Sequence, residues 1–168
     1  MTKPSDWCRN WSAGHCPERV EGAVEGGGIL RVLGLDVGAR RIGMALSDPE
    51  GILASPAGFL DRTTEEEDLR RVLEAASQHG VGRIVVGIPV SLSGRRGPQA
   101  RAVDRLRRSL ARAFDLPVVS WDERLSTQHA ERRLKEAGVE PSLERGRTDA
   151  AAAAIILQGY LDSLRNRP

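Results

Sequence analysis

The stretch Arg31 to Asp48, RVLGLDVGARRIGMALSD, constrains this chain most, because it reads as two antiparallel strands that carry one acid into apolar surroundings. Val32, Leu33, Gly34 and Leu35 are apolar enough for a central strand. Asp36 ends that run, followed by Gly38, which can take backbone angles other residues avoid. From Arg41 to Ser47, Ile42, Met44 and Leu46 alternate with Gly43 and Ala45, whose small size lets another backbone or a ligand come close. An acid in such a setting must be paired or bind a metal.

Three readings of Asp36 are open at this point. It caps a turn, the ordinary role of an Asp-x-Gly. It opens a phosphate-binding hairpin of the sugar-kinase and actin-like ATPase kind, which needs a much longer, two-lobed chain. Or it is one of several carboxylates holding divalent cations in a nuclease of the ribonuclease H type. The chain has 168 residues and no internal repeat, which suits one domain with a sizeable core. Residues 1–28 end in Gly26, Gly27 and Gly28 and show neither a helical nor a strand period, so they read as a disordered extension before a domain spanning 29–168.

Formal net charge is +2, and of the 25 basic residues only Lys3 and Lys135 are lysine. Guanidinium suits bidentate phosphate contacts, although an arginine-rich proteome or a hot habitat gives the same bias. Cys8, His15 and Cys16 lack a fourth zinc ligand at ordinary spacing. With no signal peptide before them and no membrane-length apolar run, the expectation is a cytoplasmic protein with reduced thiols and no membrane partner.

Further along, Gly51 to Leu60 supplies a short strand whose Pro56 suits a sheet edge. Thr64 to Glu67 reads as a capping box before a helix that Gly80 ends. The run Gly82 to Pro89 suits a buried parallel strand. A basic loop with Arg95 and Arg96 leads into a helix from Pro98 to Phe114, with Val103, Leu106, Leu110 and Phe114 on one face and Arg101, Arg105, Arg108 and Arg112 on the other. That stripe is either a solvated face or a surface for backbone phosphates.

Pro117 to Trp121 makes the last strand and runs into Asp122, Glu123 and Arg124. Alternation lets only one of the two acids face the side of Asp36. Ser126 or Thr127 caps a following helix. Glu140 to Arg147 reads as a polar loop, with Thr148 capping a strongly apolar final helix and Asp149 in its first turn. Alanines 150–154 would let that helix come close to the sheet and set Asp149 beside Asp36 and Glu123.

Three pieces, LGLDVGARRIGMA, WDERLST and RTDAAAAAIIL, together resemble the YqgF family, also called RuvX, within the ribonuclease H-like superfamily. The resemblance covers about Leu30 to Leu164 and implies an α/β fold with a mixed five-stranded sheet and helices on both faces. It places the catalytic and metal-binding acids at Asp36, Glu123 and Asp149. Oxygen ligands alone select hard cations, so Mg²⁺ or Mn²⁺ is expected, two ions roughly 4 Å apart. Arg40, Arg41, Arg95, Arg96, Arg101, Arg105, Arg124 and Arg147 are the expected substrate contacts. The implied activity is endonucleolytic phosphodiester hydrolysis that processes the 5′ end of precursor 16S ribosomal RNA, with ribosomal particles as a further partner. A Holliday junction resolvase acting on branched DNA as a homodimer, and a non-catalytic nucleic-acid-binding factor, are the alternatives. Arg40 and Ser93 stand where the family often has lysine and aspartate; the first keeps the charge and the second removes a carboxylate.

A chain that begins at Ile29 is expected to fold on its own. Thermal unfolding checks this: a cooperative transition agrees, and its loss would show that residues 1–28 belong to the folded domain.

Overall fold

A computed structural model describes residues 31–90, 97–125, 132, 135–138 and 145–165, apart from the side chains of 145–148. The expectations for residues 1–28, for Ser93, Arg95 and Arg96, for most of the helix after Thr127, and for the side chains of Arg147 and Thr148 lie outside the described residues. Within them, five strands form one mixed sheet: β1 (Arg31–Val37), β2 (Arg41–Ser47), β3 (Ala54–Asp61), β4 (Val81–Ile88) and β5 (Val118–Asp122), in the order β3-β2-β1-β4-β5. The first three run as an antiparallel meander, while β4 and β5 are parallel to β1.

Alternation along the strands sorts side chains between two cores. Leu33, Leu35, Ile42, Met44, Leu46, Ile84 and Val86 face helices α1 (Glu65–Gln78) and α2 (Pro98–Ala113). Val32, Ala45, Val85, Val119 and Trp121 face the last helix, α3 (Arg145–Arg165). The hairpin therefore has no solvent face, and β2 is buried at every position after Arg41. Pro56 stands on β3, at the sheet edge, where a missing N–H costs no interior ladder bond. Thr64 caps α1 by accepting from the Glu67 N–H, and Gly80, at a φ of +61°, closes that helix.

Two local expectations are corrected. Gly38 does not take a left-handed φ; its N–H donates to the Arg41 carbonyl at 2.8 Å, and an added Cβ would lie 3.0 Å from that oxygen. The last helix begins at Arg145, so residues 145–147 are helical, Thr148 is not its cap, and Asp149 lies beyond the first turn. The alanine run extends helix backward through Gly146, whose intrinsic cost of about 1 kcal/mol is too small to stop it.

Glycines fix how near α3 comes to the sheet. A Cβ on Gly43 would collide with the backbone carbonyl of Asp149. One on Gly34 would sit 2.7 Å from the Cβ of Leu157, and one on Gly87 2.6 Å from Cδ1 of Ile156. The helix thus lies in a trough cut across β2, β1 and β4. Gly43→Ala forces backbone, not a flexible side chain, to move, so it should destabilise the protein by at least about 1–3 kcal/mol. Gly97→Ala meets nothing within 4 Å and serves as the control. Urea unfolding of both variants measures the difference, and equal midpoints would rule out the tight contact.

Candidate active site

The three suspected acids arrive at the carboxyl edge of the parallel strands by three routes. Asp36 is the penultimate residue of β1, directly opposite Gly43 in the register. It lies on the same face as Gly34, which α3 covers. Asp149 reaches it because the backbone of α3 rests on Gly43. Glu123 follows β5 in a short 3-10 turn, with Oε1 3.1 Å from where a Cβ of Gly87 would be.

The two adjacent acids differ in their surroundings. Asp122 turns away and is held by Arg124, which donates from Nη2 to Oδ2 at 2.6 Å and from its backbone N–H to Oδ1 at 2.9 Å. This pairing keeps the Asp122 carboxyl below the usual range. Arg124 is thereby engaged with a neighbouring acid.

Asp36 and Glu123 lie in the opposite electrostatic setting. Burial, and then the nearby charge of Asp149, push the Asp36 carboxyl up to about 6. Burial, then the charges of Asp36 and Asp122, push Glu123 up to about 7. Asp149 thus acts on Asp36, and Asp36 on Glu123. Arg41 stands beside one of these acids: its Nη1 lies 3.8 Å from Oδ2 of Asp149 while its Nε donates to Asp61 at 3.1 Å.

Among the described residues no three His, Cys, Asp or Glu side chains lie close enough together to hold a metal ion as they stand. By donor type the three carboxylates suit a hard divalent cation. They offer oxygen only, and two of them are desolvated beside like charge, a situation that a proton or a cation relieves.

The arginines divide by place. Arg41 is in the site, and Arg40 is exposed on the β1–β2 turn beside it. Arg62 steadies that turn: it donates to the Gly38 carbonyl at 3.1 Å and to the buried Asp68 of α1 at 2.9 Å. Arg101 and Arg105 are exposed on α2, which packs on the sheet face opposite α3. Asp104 holds Arg107 and Arg108 there, at 2.8 and 2.7 Å. Two site features went unread in the sequence, the stacking of Arg41 over Phe59 at 4.9 Å and the ion pair with Asp61. The strand pairing that sets Phe59 opposite Gly43 was the available signal.

Residues 30–163 match the RuvX family, described as Holliday junction resolvase. The chain belongs to this family. A relative from Symbiobacterium thermophilum is 47% identical over 139 residues, covering 83% of this chain and 96% of its own, and one from Desulforudis audaxviator is 43% identical over 137 residues, covering 82% and 97%. Both bear the name of a pre-16S rRNA nuclease. In structure, RuvC of T. thermophilus in complex with a Holliday junction substrate is similar at a TM-score of 0.58 and 17% identity, covering 83% of this chain and 99% of that one. This likeness establishes the ribonuclease H-like fold expected from the motifs. With the family match and the named relatives, the chain is a nuclease of the RuvX family that acts on nucleic acid.

Both raised carboxyls hold protons in the folded chain at pH values where the unfolded chain has lost them. Their contribution to stability is complete at low pH and lost as pH rises through about 6 to 7. Asp36→Asn should therefore stabilise the metal-free protein at about pH 8, by on the order of 1–3 kcal/mol, and flatten the decline across that window. Melting curves in EDTA from acid to mildly alkaline pH test this. A parallel decline in variant and wild type would show that the acids do not strain the fold.

Proposed function

We propose that this protein is a metal-dependent endonuclease that trims the 5′ end of precursor 16S ribosomal RNA in the cytoplasm, on free RNA or on ribosomal particles. The reading is supported by the electrostatic influence of Asp149 on Asp36 and of Asp36 on Glu123, in a chain whose relatives over nearly their whole length bear that name. Asp36, Glu123 and Asp149 would hold Mg²⁺ or Mn²⁺. Bound there, divalent cations make a water nucleophilic at neutral pH and neutralise charge that gathers on the phosphate.

The chain's own residues bind and orient. Arg41 offers its guanidinium at the mouth of the site, and Arg40 adds charge on the adjoining turn. Both suit phosphates flanking the bond to be cut. Burial at the sheet edge removes water from around Asp36, which strengthens its pull on any bound cation. Asp122 is tied to Arg124 and holds that guanidinium near the edge without joining the acid group. Phosphate contacts of this kind weaken as salt rises.

A second reading, cleavage of four-way DNA junctions by a homodimer, is favoured by the family's description as a resolvase. Wild-type protein with Mg²⁺ or Mn²⁺ should cut a labelled precursor 16S fragment at a defined position and leave a four-way junction intact, with activity lost in EDTA. Asp36→Asn should lower the rate by at least about a hundredfold, as loss of a group stabilising transition-state charge does, while RNA binding persists. Symmetric cutting of the junction alone would instead establish the resolvase, and binding without cleavage a non-catalytic factor.

A further inference from the structure

The edge strand β3 carries an apolar ring that the fold does not use. Phe59 is 39% exposed. Its register partner is Gly43, and Arg41 pairs with Asp61 two residues away, so Arg41, Phe59 and Asp61 stand on the sheet face that carries Asp36. An aromatic opposite a strand glycine can serve to cover it. That need is absent here, because the backbone of Asp149 already fills the space above Gly43. The start of α3 covers Gly43, and the ring of its register partner stays partly exposed.

One guanidinium joins this ring to the acids. The Cζ of Arg41 is 4.9 Å from the Phe59 centroid, and its Nη1 is 3.8 Å from Oδ2 of Asp149. Of its five N–H donors, only the one on Nε makes a hydrogen bond among the described residues, to Asp61. A cation with free donors, stacked on an exposed aromatic beside a carboxylate cluster, matches two parts of a nucleotide at once. The guanidinium suits the phosphate and the ring suits the face of a base.

We propose that Phe59 and Arg41 form a subsite for one unpaired nucleotide next to the scissile phosphate, with the base stacked on Phe59 and its phosphate on Arg41. The proposal rests on the nuclease reading above and refines it, since a base paired and stacked within a duplex has no face to offer. The substrate is then single-stranded RNA at the point of cutting, and Phe59 is a specificity-determining contact.

The test uses a short single-stranded oligoribonucleotide carrying one 2-aminopurine, titrated with the full chain in EDTA so that nothing is cut. Stacking should quench the probe. Phe59→Ala should weaken binding about tenfold and abolish the quench, the range expected for one base–aromatic stack. Phe59→Tyr should keep both, and a fully paired duplex should bind all three proteins equally. The ring is exposed, so an unchanged melting temperature confirms that the alanine variant is folded. Wild-type affinity and quenching in Phe59→Ala would overturn the subsite, as would an equal loss on single strand and duplex. Cleavage by wild type separates the two readings. Quenching through Phe59 without cleavage of any RNA or junction keeps the subsite and removes the nuclease. Cleavage with an unchanged KM in Phe59→Ala removes the subsite alone.

Discussion

The contact on which the site depends is between backbones: the start of α3 rests on Gly43, where even a methyl group would collide with the Asp149 carbonyl. Asp149 is far from Asp36 in sequence, and only this close approach puts its carboxylate within electrostatic reach. Gly34 and Gly87 continue the same trough across β1 and β4, so the helix is seated along its length rather than at one point. Packing and the position of Asp149 are thus one constraint.

That seat brings like charges together. Asp36 and Glu123 are both held well above ordinary carboxyl values, by burial first and by neighbouring acids second. The fold relieves other acids with arginine: Asp122 has Arg124, Asp104 has Arg107 and Arg108, and Asp68 has Arg62. Asp36 and Glu123 receive no such partner among the described residues. A buried polar group left without compensation costs stability, and under the proposed function an external cation would supply that compensation.

Much of this was legible in the sequence. The hairpin followed from alternation and small residues, the edge position of β3 from Pro56, and the buried parallel strand from its unbroken apolar run. The three acids proposed for the site were singled out by combining strand ends with the family motifs. Other features were not readable. A polar stretch with Gly146 looks like a loop, yet α3 begins at Arg145, because burial of the alanine run outweighs local propensity. Amphipathic spacing shows which side of α2 is exposed but not which face of the sheet it covers, so the basic stripe of α2 could not be located relative to the acids. Phe59 was not readable for a similar reason: its place beside Arg41 follows from the register between two strands.

The most direct measurement is Mn²⁺ binding by calorimetry to the wild type and to Asp36→Asn, Glu123→Gln and Asp149→Asn separately. If the three acids form one cation site with Asp36 at its centre, every variant loses affinity, and Asp36→Asn loses most. Wild-type affinity in Asp149→Asn would contradict the account, because it would mean that seating α3 on Gly43 brings no ligand to the metal.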